Sequence, residues 1–116
     1  LILRGGTRPN YDAATAAACR ERLARHGLPA AIMVDCSHGN SAKDHNRQPQ
    51  VARDVVARRA DGEAGIVGLM IESNLGAGNQ AFKPGQGGLQ YGVSITDACI
   101  DWPTTETLLR ELHAML

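Results

Sequence analysis

Three apolar runs, LIL, AIMV and GIVGLMI, recur at a fixed interval, and the polar residues that follow them, Arg4, His38 and Glu72, stand 34 positions apart. Runs rich in Val, Ile and Leu and bounded by Gly and Pro are the mark of strands buried on both faces, as in a parallel sheet. A parallel sheet needs a crossover after every strand, usually a helix. The interval therefore predicts consecutive βα units, each with one polar tip. The C-terminal ends of parallel strands are where α/β proteins gather their chemistry, so those tips are the first candidates for function.

The punctuation between the runs agrees with this reading. Gly5, Gly6, Pro9 and Asn10 form a turn, and an alanine-rich helix is predicted from about Asp12 to His26, stopped by Gly27 and Pro29. A strand over Ala31–Asp35 is followed by the polar loop SHGNSAKDHNRQ and by a helix over about Pro49–Ala60, whose Val51, Val55 and Val56 share one face. A strand over Ile66–Ile71 leads into an 18-residue stretch, Ser73–Gln90, with five glycines, long enough to be functional or disordered. The last helix is predicted over about Thr104–Leu116, with Leu108, Leu109, Leu112 and Met115 as its apolar stripe.

Composition removes several classes of function. Twelve Lys and Arg balance twelve Asp and Glu, so no polyanion is attracted, and nucleic acid and membrane surfaces are not expected partners. The only aromatic residues are Tyr11, Phe82, Tyr91 and Trp102, too few for the stacking platforms of single-strand binders. No apolar stretch approaches the ~20 residues of a membrane span, and a cytoplasmic location is expected. Cys19, Cys36 and Cys99 are odd in number and widely spaced, which argues against a disulfide framework or a thiolate zinc site.

Three βα units fit either a doubly wound open sheet or part of an eight-stranded barrel. The period favours the barrel, because eight units of about 31 residues make the usual ~250-residue (β/α)8 domain. A helical repeat array of similar period is set aside because the valine and isoleucine runs are strand-like. LILRGG opens inside a strand, so the chain is expected to be a piece of a longer protein whose remainder lies on the N-terminal side.

On the expected rim, His38, Glu72 and the downstream Asp97 of SITDACIDW supply one imidazole and two carboxylates from different loops, a donor set suited to a divalent metal. Each also has a plain structural reading: His38 as a hydrogen-bonded strand-end residue, Asp97 as a helix cap. Arg4 followed by Gly5 and Gly6 offers a guanidinium and free backbone N–H groups to a phosphate or carboxylate, or else an ion pair within the rim.

The runs ILRGG, DCSHGNSAKDHNRQ, GLMIESNLGAGNQ, YGVSITDACIDW and LLREL resemble, in order and over essentially the whole chain, the C-terminal part of class I 3-deoxy-D-arabino-heptulosonate 7-phosphate (DAHP) synthase. The resemblance implies three C-terminal βα units of a (β/α)8 TIM barrel, with residues 1–116 as one portion of that domain. It implies a metal-dependent, aldol-like condensation of phosphoenolpyruvate with erythrose 4-phosphate that releases phosphate and opens aromatic amino-acid biosynthesis. Residue by residue, Arg4 and His38 match catalytic positions, Arg4, His38 and Asp97 match substrate-binding positions, and His38, Glu72 and Asp97 match metal ligands. The family's fourth ligand, a cysteine, and its Lys-Pro-Arg-Thr loop lie outside this chain, and Cys36 does not match that cysteine. The resemblance leaves manganese, iron, cobalt or zinc open as the cofactor and implies a homo-oligomer. Asn40 and Lys43 match the motif and are given only a supporting role, with a solvated loop lysine the favoured reading of Lys43. The related octulosonate-phosphate synthase fits SITDACIDW and the GNQ loop less well. With so few units the isolated chain is expected to be inactive, and the alternative is a non-catalytic, truncated anion- or metal-binding module on the same scaffold.

Overall fold

In the computed structural model, which describes residues 1–85 and 87–116, the three apolar runs become three parallel strands. Strands β1 (Ile2–Leu3), β2 (Ile32–Asp35) and β3 (Ile66–Met70) pair in chain order, with Ile2 opposite Met33 and Val34 opposite Leu69. Each leads to a helix: α1 (Ala13–Arg25), α2 (Gln48–Ala60) and α3 (Trp102–Met115), with a 3-10 turn over His45–Arg47 before α2. The βα, βα, βα order read from the spacing is the order found.

Local chemistry fixes the helix ends. Asp12 caps α1 by accepting the Thr15 N–H at 2.9 Å, and the chain leaves α1 through Gly27, whose φ of 68° is a left-handed conformation natural to glycine. Helix α3 begins at Trp102, two residues before the expected Thr104. Asp101 caps it by accepting the Thr104 N–H at 2.9 Å, and Pro103 falls in the first turn, where no backbone bond is lost.

The core lies between the sheet and its helices. Ile32, Val34 and Ile66 from the strands meet Val51, Val55 and Val56 of α2 and Leu108 and Leu112 of α3. The stripe expected on α3 is narrower than its sequence suggested: Leu108 is 1% exposed and Leu112 6%, but Leu109 is 49% exposed. One step along a helix turns a side chain by about 100°, which carries Leu109 off the face that meets α2. The two outer strands leave Ile2 and Val67 exposed at the sheet edges.

The glycine-rich stretch after β3 is folded back rather than loose. Gly76 donates to the Gly92 carbonyl and Gln80 to that of Ser94, both at 2.8 Å, while the Gln80 side chain bonds the Gln90 backbone in both directions. Gly78 and Cys99 exchange backbone hydrogen bonds of 2.8 and 3.1 Å. The segment that carries Asp97 is thereby held beside the end of β3. Residue 86, within the expected Ser73–Gln90 loop, lies outside the described residues. Among the described residues no helix is long and apolar enough to cross a membrane.

Candidate metal centre

The loop after β2 is built around a buried carboxylate. Asp35, the last residue of β2, is 3% exposed, and its Oδ1 accepts the Ser37 N–H at 2.8 Å. This short turn lets His38 take a φ of 49°, a left-handed conformation uncommon outside glycine, and Oδ2 of the same Asp35 lies 2.8 Å from His38 Nδ1. Asn40 locks the loop to its neighbour: its Nδ2 donates to the carbonyls of Leu3 and Asp35 at 3.0 and 2.8 Å, and its Oδ1 accepts the Asn10 N–H at 2.9 Å. The Arg4 and His38 loops touch through two glycines. A Cβ on Gly39 would stand 2.7 Å from the backbone of Gly5 and Gly6, and one on Gly5 only 2.6 Å from that of Gly39 and Asn40.

Glu72 reaches the same place from β3. Its carboxylate Oε2 accepts the Ser37 hydroxyl at 2.6 Å, which leaves Oε1 facing His38 Nε2 at 3.6 Å. Asp97 enters from the last loop, its Oδ2 3.5 Å from the same Nε2. One donor atom from each of His38, Glu72 and Asp97 lies within 4.8 Å of the other two. The separations from Nε2 exceed the ~2.7–3.2 Å of a good N–H to oxygen hydrogen bond. Ligands bound at about 2.0–2.2 Å in a tetrahedron stand about 3.4 Å apart, so these spacings suit donors that share a cation. An imidazole nitrogen with two carboxylate oxygens is a donor set that manganese, iron, cobalt or zinc accepts. The residues therefore fit a divalent metal, and Asp97 is not a helix cap; Asp101 is.

The mouth of this centre is a cavity of about 340 Å³ lined by Arg4, His38, Lys43, Glu72, Asn79 and Asp97. It sets two permanent cations beside the carboxylates. Among the described residues Arg4 forms no ion pair, so the rim salt bridge that could have explained it is not made. The free N–H groups expected of Gly5 and Gly6 are not free. Gly5 donates to Asn10 Oδ1 at 2.8 Å and Gly6 to the Arg8 carbonyl at 3.0 Å, because the Pro9–Asn10 turn folds back on them. What Arg4 offers an anion is its guanidinium. Asn40 faces away from the cavity into the joint between loops, so its support is structural.

Neither thiol near the centre is favoured as a thiolate. Cys36 is fully buried, and burial, with the adjacent Asp35 carboxylate as a lesser cause, pushes its thiol up to about 12. Cys99 is raised chiefly by burial, and the Glu72 and Asp97 carboxylates add to this against a lowering hydrogen bond from Ser94. Protonated thiols are poor ligands and poor nucleophiles.

Sequence reasoning missed Asp35, Ser37 and Gln48, which hold His38 and Glu72 from behind. A signal existed for the first: a carboxylate ending an otherwise apolar strand is costly to bury without partners. Gln48 gave none, since only the fold brings it to Glu72.

Comparisons with known proteins agree with this arrangement. Residues 1–110 match the DAHP synthetase I family. The chain is 54% identical over 113 residues to the Tyr-sensitive phospho-2-dehydro-3-deoxyheptonate aldolase of Escherichia coli strain K12, covering 97% of this chain and 32% of that protein. It is 54% identical over 114 residues to phospho-2-dehydro-3-deoxyheptonate aldolase AMT16 of Alternaria alternata, covering 97% of this chain and 30% of the relative. The solved structure of phospho-2-dehydro-3-deoxyheptonate aldolase from Francisella tularensis SCHU S4 superposes with a TM-score of 0.89 at 40% identity, over 98% of this chain and 33% of that one. The chain thus spans about a third of the length of these relatives. With nearly its whole length matched in sequence and in fold, the chain belongs to the DAHP synthetase I family.

Proposed function

We propose that this chain is the C-terminal three βα units of a (β/α)8 barrel enzyme that joins phosphoenolpyruvate to erythrose 4-phosphate, a DAHP synthase acting at the entry to aromatic amino-acid biosynthesis. The observation that carries the reading is the convergence of His38 Nε2 with Glu72 Oε1 and Asp97 Oδ2 at 3.6 and 3.5 Å beside Arg4. The exposed Ile2 and Val67 on the two outer strands support a sheet continued on both sides by further strands. The relatives named as phospho-2-dehydro-3-deoxyheptonate aldolases support the substrates, and a cytoplasmic setting and a homo-oligomeric assembly complete the proposal.

In the reaction a bond forms between the methylene carbon of phosphoenolpyruvate and the aldehyde carbon of erythrose 4-phosphate, water adds at the former enol carbon, and inorganic phosphate leaves. His38, Glu72 and Asp97 would hold a divalent cation, which when bound would supply Lewis-acid polarisation of the aldehyde oxygen. Arg4 binds the phosphate or carboxylate of phosphoenolpyruvate through its planar guanidinium and steadies the departing phosphate. His38 lines the same cavity as Arg4 and would serve both cation and substrate anion, and Asp97, the most exposed of the three, would face the incoming substrate. Lys43, on the same wall, adds a cationic charge for a phosphate group.

The test is phosphate release from the two substrates with Mn²⁺, measured on the chain alone and on the chain complemented with the preceding part of a relative's barrel. The reading expects no turnover from the chain alone, turnover after complementation, and loss of that turnover in Arg4→Ala. Silence after complementation favours the second reading, a truncated anion- or metal-binding module.

A further inference from the structure

We infer that Asp35 is a positioning residue that sets the tautomer and aim of His38, so that Nε2 carries its lone pair toward Glu72 and Asp97; the inference rests on the metal reading of that site. Asp35 ends β2 with its carboxylate 3% exposed, and its neighbours leave it little choice of bonds. Oδ1 is taken by the Ser37 N–H at 2.8 Å, and Oδ2 meets His38 Nδ1 at 2.8 Å. A carboxylate only accepts, so this contact is a hydrogen bond when Nδ1 is the nitrogen that bears the proton. In the neutral ring the lone pair then falls on Nε2, the atom that faces the two other donors. The opposite tautomer would set two lone-pair atoms against each other at 2.8 Å in a buried place and aim an N–H where a cation is to bind.

The backbone makes the arrangement specific. His38 is held at a φ of 49°, and its carbonyl accepts the Lys43 N–H at 2.8 Å, so the ring's position follows from the loop and its rotation from Asp35. Partners of this kind commonly govern metal affinity by about 10–100-fold through a ligand they do not replace. Asp35→Asn is nearly isosteric and reverses the logic. The amide oxygen keeps the Ser37 N–H, while its NH₂ must donate to His38 Nδ1 and drive the proton to Nε2.

The experiment uses ¹⁵N chemical shifts of the His38 ring in the metal-free chain, above the pH at which the ring is neutral, together with Mn²⁺ titration calorimetry. The unsubstituted chain is expected to show the Nδ1–H tautomer and to bind Mn²⁺. Asp35→Asn is expected to show Nε2–H and to bind about 10–100-fold more weakly. The tautomer readout separates this role from a merely structural one, which would weaken Mn²⁺ binding without moving the proton from Nδ1. An Nε2–H ring in the unsubstituted chain overturns the inference whether or not the variant folds, and so does an Asp35→Asn chain that binds Mn²⁺ as tightly as the unsubstituted one. An Nδ1–H ring in a chain that binds no Mn²⁺ overturns the reading that these three residues hold a cation by themselves and leaves the tautomer assignment standing.

Discussion

Gln48 grips the backbone of Glu72 with both ends of its amide: Nε2 donates to the Glu72 carbonyl at 3.1 Å and Oε1 accepts the Glu72 N–H at 2.7 Å. Gln48 is fully buried at the first turn of α2, so a helix of one βα unit fixes the strand-end carboxylate of the next. The clasp supplies the partner of the Glu72 N–H, beyond the last paired position of β3, and a second donor to the Glu72 carbonyl, which also accepts the Ile100 N–H at 3.0 Å.

Gln48→Leu keeps the volume and removes the clasp. The Glu72 carbonyl keeps the Ile100 N–H, but the Glu72 N–H is left without a partner, which costs about 1–3 kcal/mol. Urea unfolding is expected to show a stability loss of that order, with weaker Mn²⁺ binding because Glu72 is freed. Unchanged stability would mean that water or a neighbouring group replaces the amide.

The close approach of the Arg4 and His38 loops depends on glycine at specific places. Gly39→Ala puts a methyl group 2.7 Å from the Gly5 and Gly6 backbone, which cannot swing aside as a side chain could. A loss of about 1–3 kcal/mol in thermal or urea unfolding is expected. Gly6→Ala, with nothing within 4 Å of the added carbon, is expected to stay within about 0.5 kcal/mol of the parent.

Cys36 makes stability fall on the alkaline side. Its folded thiol is held up to about 12, whereas the exposed thiol of the unfolded chain ionises near 9.0. Between these values the folded state retains a proton that the unfolded state has lost, so ΔG of unfolding declines as pH rises. Cys36→Ala is expected to flatten that decline relative to the parent from about pH 9 upward. At pH 8 the parent's Cys36 is expected to resist alkylation while folded and to react in denaturant.

Much of the fold was legible because its period was legible. The 34-residue spacing and the valine and isoleucine runs give three parallel strands with a helix after each, and Gly27 ends its helix as its type suggests. His38, Glu72 and Asp97 could be named from strand-end position and donor chemistry, and the fold brings them together. What local sequence did not carry were contacts between distant residues. Gln48 reads as an ordinary helix-entry polar residue until β3 is set beside it. The Gly5 and Gly6 amides read as free until Asn10 and Arg8 are seen to take them. Leu109 reads as core by composition, and only the direction from which α2 approaches leaves it outside.

The central claim is that His38, Glu72 and Asp97 form one cation site, and Mn²⁺ titration by calorimetry on the purified chain tests it most directly. The account predicts saturable binding that is lost in His38→Ala and weakened at least tenfold in Glu72→Gln, with circular dichroism unchanged in both. Binding that survives His38→Ala intact would contradict it, because the cation would then be held elsewhere.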